Sequence, residues 1–169
     1  MLITPAYLAT QKRVHKAQPA YGISSKCGVA AAKLLHESYG VESIIDYGCG
    51  KGRLKIHYPY VSITEYDPAI EGKDNPNLCP ADAVLCHDVM EHIEERCLPD
   101  VMRHMTALAL TYLYLTITTR PARKILPDGR NAHITLWTPK EWLTFLEQYL
   151  TIIMERDENH ELTVLGIPK

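Results

Sequence analysis

From residue 43 onward, short apolar runs of strand character alternate with segments whose apolar residues return every three or four positions. The first run, Ser43-Ile44-Ile45-Asp46-Tyr47, is β-branched and stops at a glycine cluster, the pattern of a buried parallel strand. Residues 60–66 predict a second strand that ends at Asp67-Pro68, and Ala83-Val84-Leu85-Cys86-His87 a third. Residues 110–118, rich in Tyr, Leu, Thr and Ile, are the most strand-like run of the chain. Two last strands are predicted over 150–154 and 162–167, with a turn over 155–161. A helix is expected over 89–109, interrupted near Pro99, where a new helix begins. Another opens at Thr138: the threonine caps, Pro139 takes the first helical position, and Glu141 completes a capping box. Its Trp142, Phe145 and Leu146 share one side and read as core. Residues 68–82 and 120–130 carry prolines and glycines with little apolar pattern and read as loops.

Ahead of residue 40 the spacing is helical in two pieces. Residues 7–16 predict a polar, basic helix, and residues 25–39 an apolar-faced one through Val29, Ala32 and Leu35. Ser24 or Ser25 can cap the second, and Gly40 ends it. Strands alternating with helices, then a terminal hairpin, argue for an α/β fold with a mainly parallel sheet and an antiparallel edge. With no internal repeat or low-complexity stretch, residues 1–169 read as one domain: a helical cap over 1–40 and an α/β core over 41–169.

Composition narrows the picture only at its margins. The chain is 46% hydrophobic and 22% charged with a net charge of −2, so it lacks the basic footprint of a dedicated nucleic-acid binder. No apolar run approaches the ~20 residues of a membrane span, and the first residues do not have the layout of a signal peptide. The five cysteines are scattered with no Cys-x-x-Cys pair, which fits reduced thiols in a cytoplasmic protein and no zinc site built on them.

The chemistry concentrates after the first strand, in Gly48-Cys49-Gly50-Lys51-Gly52. A strand running into glycines turns tightly and lets a ligand approach the backbone. In open α/β sheets such turns lie where ligands bind. Taken alone, the glycine spacing suits a structural turn equally well. Asp67, about 20 residues further on at the next strand's end, adds a carboxylate placed to accept ribose hydroxyls. The Gly-x-Gly-x-Gly spacing differs from the Gly-x-Gly-x-x-Gly of dinucleotide binders.

Asp46-Tyr47-Gly48-Cys49-Gly50-Lys51-Gly52 resembles the first motif of class I S-adenosylmethionine-dependent methyltransferases. Glu65-Tyr66-Asp67-Pro68 resembles their ribose-binding strand end, and the run from Asp82 to Ile93, DAVLCHDVMEHI, their fourth-strand motif. The three stand in family order. The stretch Leu126-Pro127-Asp128-Gly129-Arg130-Asn131-Ala132-His133, with Trp142, is similar to small methyltransferase-domain proteins of phages and bacteria. The resemblance implies a three-layer Rossmann-like sandwich and S-adenosylmethionine as cofactor. Gly48, Cys49 and Gly50 would pass under its methionine and ribose, Asp46 would anchor the loop and reach the amino group directly or through water, and Asp67 would hold the ribose. Asp88 would face the methyl group. The family has a further helix and strand between the ribose acid and the fourth strand. Here only a Pro-rich stretch stands there, so the sheet is expected to be one edge strand short, with no assignable adenine contact.

A methyl transfer to a hydroxyl or amine asks for a base, for which histidine suits neutral pH. His133 after the long loop, His87 and Asp88 at the third strand's end are the catalytic candidates; ordering the loop remains the alternative for His133. His92 reads more readily as a tie between strand and helix. A metal held by His87, Glu91 and His92 fails on spacing, since a His-Glu-x-x-His helix needs its histidines four apart, and no metal is expected. Arg120, Arg123, Lys124 and Arg130 form either an anion grip or a solvated loop, and the N-terminal helices either cover the cofactor or pack on the sheet. The expected acceptor is a small molecule or saccharide-like hydroxyl or amine. A non-catalytic cofactor-binding protein, an RNA or DNA methyltransferase and a nicotinamide dehydrogenase are the rivals.

Overall fold

The computed structural model describes residues 1–18, 21 and 25–169, so Ser24, one of the two candidate caps, lies outside the described residues. Among the described residues, five α-helices and six strands follow one another: α1 (Pro5–Ala17), α2 (Ser25–Tyr39), β1 (Ser43–Tyr47), α3 (Arg53–His57), β2 (Ser62–Tyr66), β3 (Ala81–His87), α4 (Leu98–Leu108), β4 (Ala109–Thr118), α5 (Pro139–Leu146), β5 (Leu150–Glu158) and β6 (Glu161–Pro168). The strands form one sheet in the order β2-β1-β3-β4-β6-β5. β1 to β4 run parallel, while β6 lies antiparallel to both β4 and β5. No strand forms between Tyr66 and Ala81, which leaves β2 as an edge.

Alternation along each strand sorts the apolar residues to two faces. Ile44, Ala83, Leu85 and Tyr114 meet Ala31, Ala32 and Leu35 of α2 and Leu54 of α3. Ile45, Val84, Cys86, Leu113 and Leu115 meet Leu98, Val101, Met102 and Met105 of α4 and Trp142 and Leu146 of α5. The result is three layers, helices on both sides of the sheet. A smaller cluster joins α1 to the long loop through Tyr7, Val14, Leu126 and Ala132. No described helix is long and apolar enough to cross a membrane.

Two local readings are corrected, and one short helix carried no signal in the sequence. The helix expected over 89–109 is α-helical only from Leu98; before it come two 3-10 turns, Met90–His92 and Glu95–Cys97. There the chain keeps its buried acid and histidine close to the strand end instead of carrying them up a helix. α3 carries no periodic signal because it is a single turn long. The polar run expected to turn over 155–161 is extended instead, and the reversal is confined to Asn159 and His160, both at positive φ. A two-residue hairpin needs that conformation at both positions. α5 has the capping box read from its sequence: Thr138 Oγ1 accepts from Glu141 N–H, and Thr138 N–H donates to Glu141 Oε2.

Candidate active site

The strand order reverses between β1 and β3, and the carboxyl ends of β1 to β4 surround a cleft of about 520 Å³. A crevice at such a reversal is where open α/β sheets bind ligands, and its size is that of a small-molecule site. The turn after β1 is built from backbone. Gly48 N–H and Cys49 N–H both donate to the Tyr66 carbonyl, at 2.7 and 3.0 Å, tying the turn to the end of β2. Gly48 has φ +79°, and a Cβ there would be driven into Val89. Gly48 and Gly50 line the cleft, whereas Cys49 does not. Its thiol is buried, and burial raises its pKa.

Asp67 lines the cleft from the neighbouring strand end. Oδ2 accepts from Gly50 N–H at 3.0 Å and Oδ1 from Ala69 N–H at 2.8 Å, so the carboxylate is held by the glycine turn it faces. Each oxygen keeps acceptor capacity for a ligand. Asp46, in contrast, is buried at 8% exposure and is not part of the cleft wall. Burial and then the nearby Glu65 push its carboxyl up to about 7.

At the end of β3 the candidate bases separate. Asp88 lines the cleft with φ +52°, a left-handed conformation that aspartate tolerates better than most residues. Its N–H donates to Thr116 O at 3.0 Å, and its carboxylate lies near Thr118 Oγ1. His87 lies behind it, outside the cleft wall. Its Nδ1 is bonded to Thr116 Oγ1, and its Nε2 is 3.3 Å from Asp88 Oδ2. His87 Nε2 lies beside Asp88, buried and without a hydrogen-bond partner among the described residues, and His87 does not line the cleft. Of the two bases expected at this strand end, Asp88 lines the cleft and His87 does not.

Glu91 was read only as part of a motif, yet it is fully buried and lines the cleft. Oε1 accepts from Thr118 N–H at 3.1 Å, and Oε2 has no hydrogen-bond partner among the described residues. Burial and then Asp88 push its carboxyl up to about 8. His92 beside it is held neutral, its pKa lowered to about 4 chiefly by burial. His133 reaches the same wall of the cleft from the loop, its ring 4.9 Å from that of His92.

The N-terminal segment covers the cleft. Leu2, Ile3, Tyr7, Gln11 and His15 line it, and Tyr21 OH donates to Gln11 Oε1 at 3.1 Å. The sequence did not single these residues out, because a helix with a polar face carries the same pattern whether that face meets water or a ligand. The loop's cations divide. Lys124 bonds Gln18 and stacks over Tyr21, and Arg130 pairs with Asp128 and Glu94. Arg120 and Arg123 line the cleft with no ion pair among the described residues. Across the cleft, His104 bridges the loop that replaces the edge strand to the sheet. Its Nε2 donates to Pro76 O at 2.9 Å, and its Nδ1 accepts from Tyr47 OH at 2.8 Å.

Solved structures share this architecture. The Burkholderia thailandensis 1,6-didemethyltoxoflavin-N1-methyltransferase, with bound 1,6-didemethyltoxoflavin and S-adenosylhomocysteine, superimposes with TM-score 0.72 at 14% identity, covering 100% of this chain and 92% of that one. The fold is the class I methyltransferase fold. DhpI in complex with S-adenosylhomocysteine matches with TM-score 0.65 and 17% identity over 95% of this chain and 94% of its own. The magnesium protoporphyrin IX methyltransferase of Synechocystis PCC 6803, also with S-adenosylhomocysteine bound, matches with TM-score 0.61 and 15% identity over 96% and 88%. No protein-family model and no curated protein matches the sequence. The methyltransferase fold accounts for the sheet order and for the antiparallel β6-β5 pair beside β4.

Proposed function

We propose that the chain is an S-adenosylmethionine-dependent methyltransferase whose acceptor is a small molecule bearing an anionic group. The observation that carries this reading is the hydrogen bond from Gly50 N–H to Asp67: glycine turn and strand-end carboxylate face one cleft at the strand-order reversal. The residues fit the cofactor. Gly48 and Gly50 leave the backbone open, Asp67 can accept the ribose hydroxyls, and Pro68 and Ala69 supply an apolar wall for the adenine that the sequence could not assign. Asp88 and Glu91 give the cleft a carboxyl-rich wall beside a positively charged sulfonium. When bound, the cofactor supplies an electrophilic methyl group.

The chain's own residues would then position the acceptor in line and exclude water. Arg120 and Arg123 would grip its anionic group at the mouth. His133 and Asp88 are the groups placed to take the acceptor's proton. α1 and the long loop, joined through Tyr7, Val14 and Leu126, close the cleft from above. The proteins of similar fold named above include a 1,6-didemethyltoxoflavin methyltransferase and a magnesium protoporphyrin IX methyltransferase, which supports a small-molecule acceptor. Transfer of radiolabelled methyl groups from S-adenosylmethionine into fractionated host extract tests the reading. Label should enter a low-molecular-mass anionic fraction; label only in nucleic acid, or cofactor binding with no transfer to any fraction, would overturn it.

A further inference from the structure

Three side chains, Glu91, His92 and His133, meet on the cleft wall. One ligand atom each of Glu91, His92 and His133 lies within 4.8 Å of the other two. His92 Nδ1 is 2.7 Å from the Ala132 carbonyl, and His133 Nδ1 is 2.5 Å from the Arg120 carbonyl. A carbonyl can only accept, so in both rings Nδ1 carries the hydrogen and Nε2 keeps its lone pair. Glu91 repeats the pattern, with Oε1 committed to Thr118 N–H and Oε2 buried without a partner among the described residues. Histidines whose second nitrogen donates to a backbone carbonyl, with a carboxylate fixed by a backbone N–H, are the outer contacts that orient metal ligands.

We propose that Glu91, His92 and His133 form a binding site for a first-row divalent metal ion at the acceptor end of the cleft. Two imidazoles and one carboxylate suit zinc, iron(II), cobalt or manganese better than calcium or magnesium, which take oxygen ligands. The frame is already tied. Thr135 N–H donates to Glu91 O at 3.0 Å, and Thr135 Oγ1 donates to Ile93 O at 2.7 Å, zipping the segment after His133 onto the turn that carries the other two ligands. An ion with bonds of about 2.0–2.1 Å holds tetrahedral ligands roughly 3.4 Å apart, so metal entry would draw the cluster in by about an ångström. Sequence spacing set His87 beside Glu91 and His92 and rejected the set; the fold keeps His87 on Thr116 and brings His133 in its place.

Three protein ligands leave the remaining positions open toward the cleft, the arrangement of catalytic rather than structural sites. On the methyltransferase reading, this selects an acceptor that reacts through oxygen. With His133 Nε2 given to the ion, Asp88 alone is left to act as base: the ion would bind the acceptor hydroxyl and ease loss of its proton to the Asp88 carboxylate. The C–S bond of the sulfonium then breaks with its electron pair staying on sulfur as the O–CH3 bond forms.

The site is tested without cofactor or acceptor. Untagged chain, stripped with a chelator, is titrated with Co2+ and then Zn2+ by calorimetry and visible absorption. One ion per chain is expected, with Co2+ d–d bands that Zn2+ displaces. Glu91→Gln and His133→Ala should each weaken binding by about tenfold or more, and His160→Ala at the exposed hairpin tip should leave it unchanged. Circular dichroism confirms the fold of each variant, and His133→Gln replaces His133→Ala if that chain does not fold. No saturable binding, or binding that survives both ligand substitutions, would overturn the proposal while leaving the cofactor site untouched. Loss of S-adenosylhomocysteine binding would instead strike the methyltransferase reading and leave the metal site standing.

Discussion

The two ends of the cleft are built on different principles. The β1–β2 end is made of backbone from a stretch of some twenty residues, in which one turn hydrogen-bonds to the next strand end and Asp67 locks it through Gly50 and Ala69. The β3–β4 end is made of side chains gathered from the turns after β3, the end of β4, the long loop and α1. Backbone geometry presents the same surface to every ligand of one shape, whereas assembled side chains can be exchanged without disturbing the sheet. The contrast teaches a division of labour: one end suits a fixed cofactor, the other an acceptor that differs among proteins of this fold.

Substitutions should break the two ends differently. The largest effect is expected from Gly48→Ala, which places a Cβ against Val89 in a left-handed backbone. Strain and overpacking together should cost roughly 2–4 kcal/mol of stability, read by denaturant titration, and S-adenosylhomocysteine binding should be lost. Asp67→Ala should weaken that binding about tenfold or more by calorimetry, since it removes a charged acceptor and frees two backbone N–H groups. Unchanged affinity would remove Asp67 from the site. At the other end, His133→Ala should leave cofactor affinity within about twofold while slowing methyl transfer by about tenfold or more. Equal turnover would reduce His133 to ordering the loop through Arg120.

The smallest effect concerns stability and pH. Asp46 titrates near 7 in the fold, against an ordinary carboxylate value near 4, because it is buried. A raised folded pKa means that the native state binds the proton more tightly, so this group's contribution is present at acid pH and is lost as pH rises through 7. Asp46→Asn imitates the protonated form. Its melting temperature relative to wild type should therefore climb between pH 4 and pH 7.5, and a constant difference would show that Asp46 is not desolvated.

The same contrast explains what could be read from the sequence. Strands β1, β3, β4 and the capped α5 carry their own local signals, and alternation in Ile44-Ile45 and Ala83-Val84-Leu85 already assigns faces. The turn and Asp67 were legible because a backbone site is written in contiguous glycines and one acid. His87 and Asp88 are neighbours in sequence, yet only Asp88 lines the cleft, while His87 turns toward Thr116. Glu91 Oε2 and the approach of His133 to His92 depend on the loop's fold, held by Thr135 and α1, which no local period encodes. Tyr7, Gln11 and His15 were hidden for a related reason: their helix shows a polar face whether it meets solvent or a ligand.

Thermal melting of the chain with S-adenosylhomocysteine and, separately, with NAD tests the central claim most directly. The account predicts a higher melting temperature with S-adenosylhomocysteine, lost in Asp67→Ala, and no change with NAD. No shift with S-adenosylhomocysteine, or an equal shift with NAD, would contradict it.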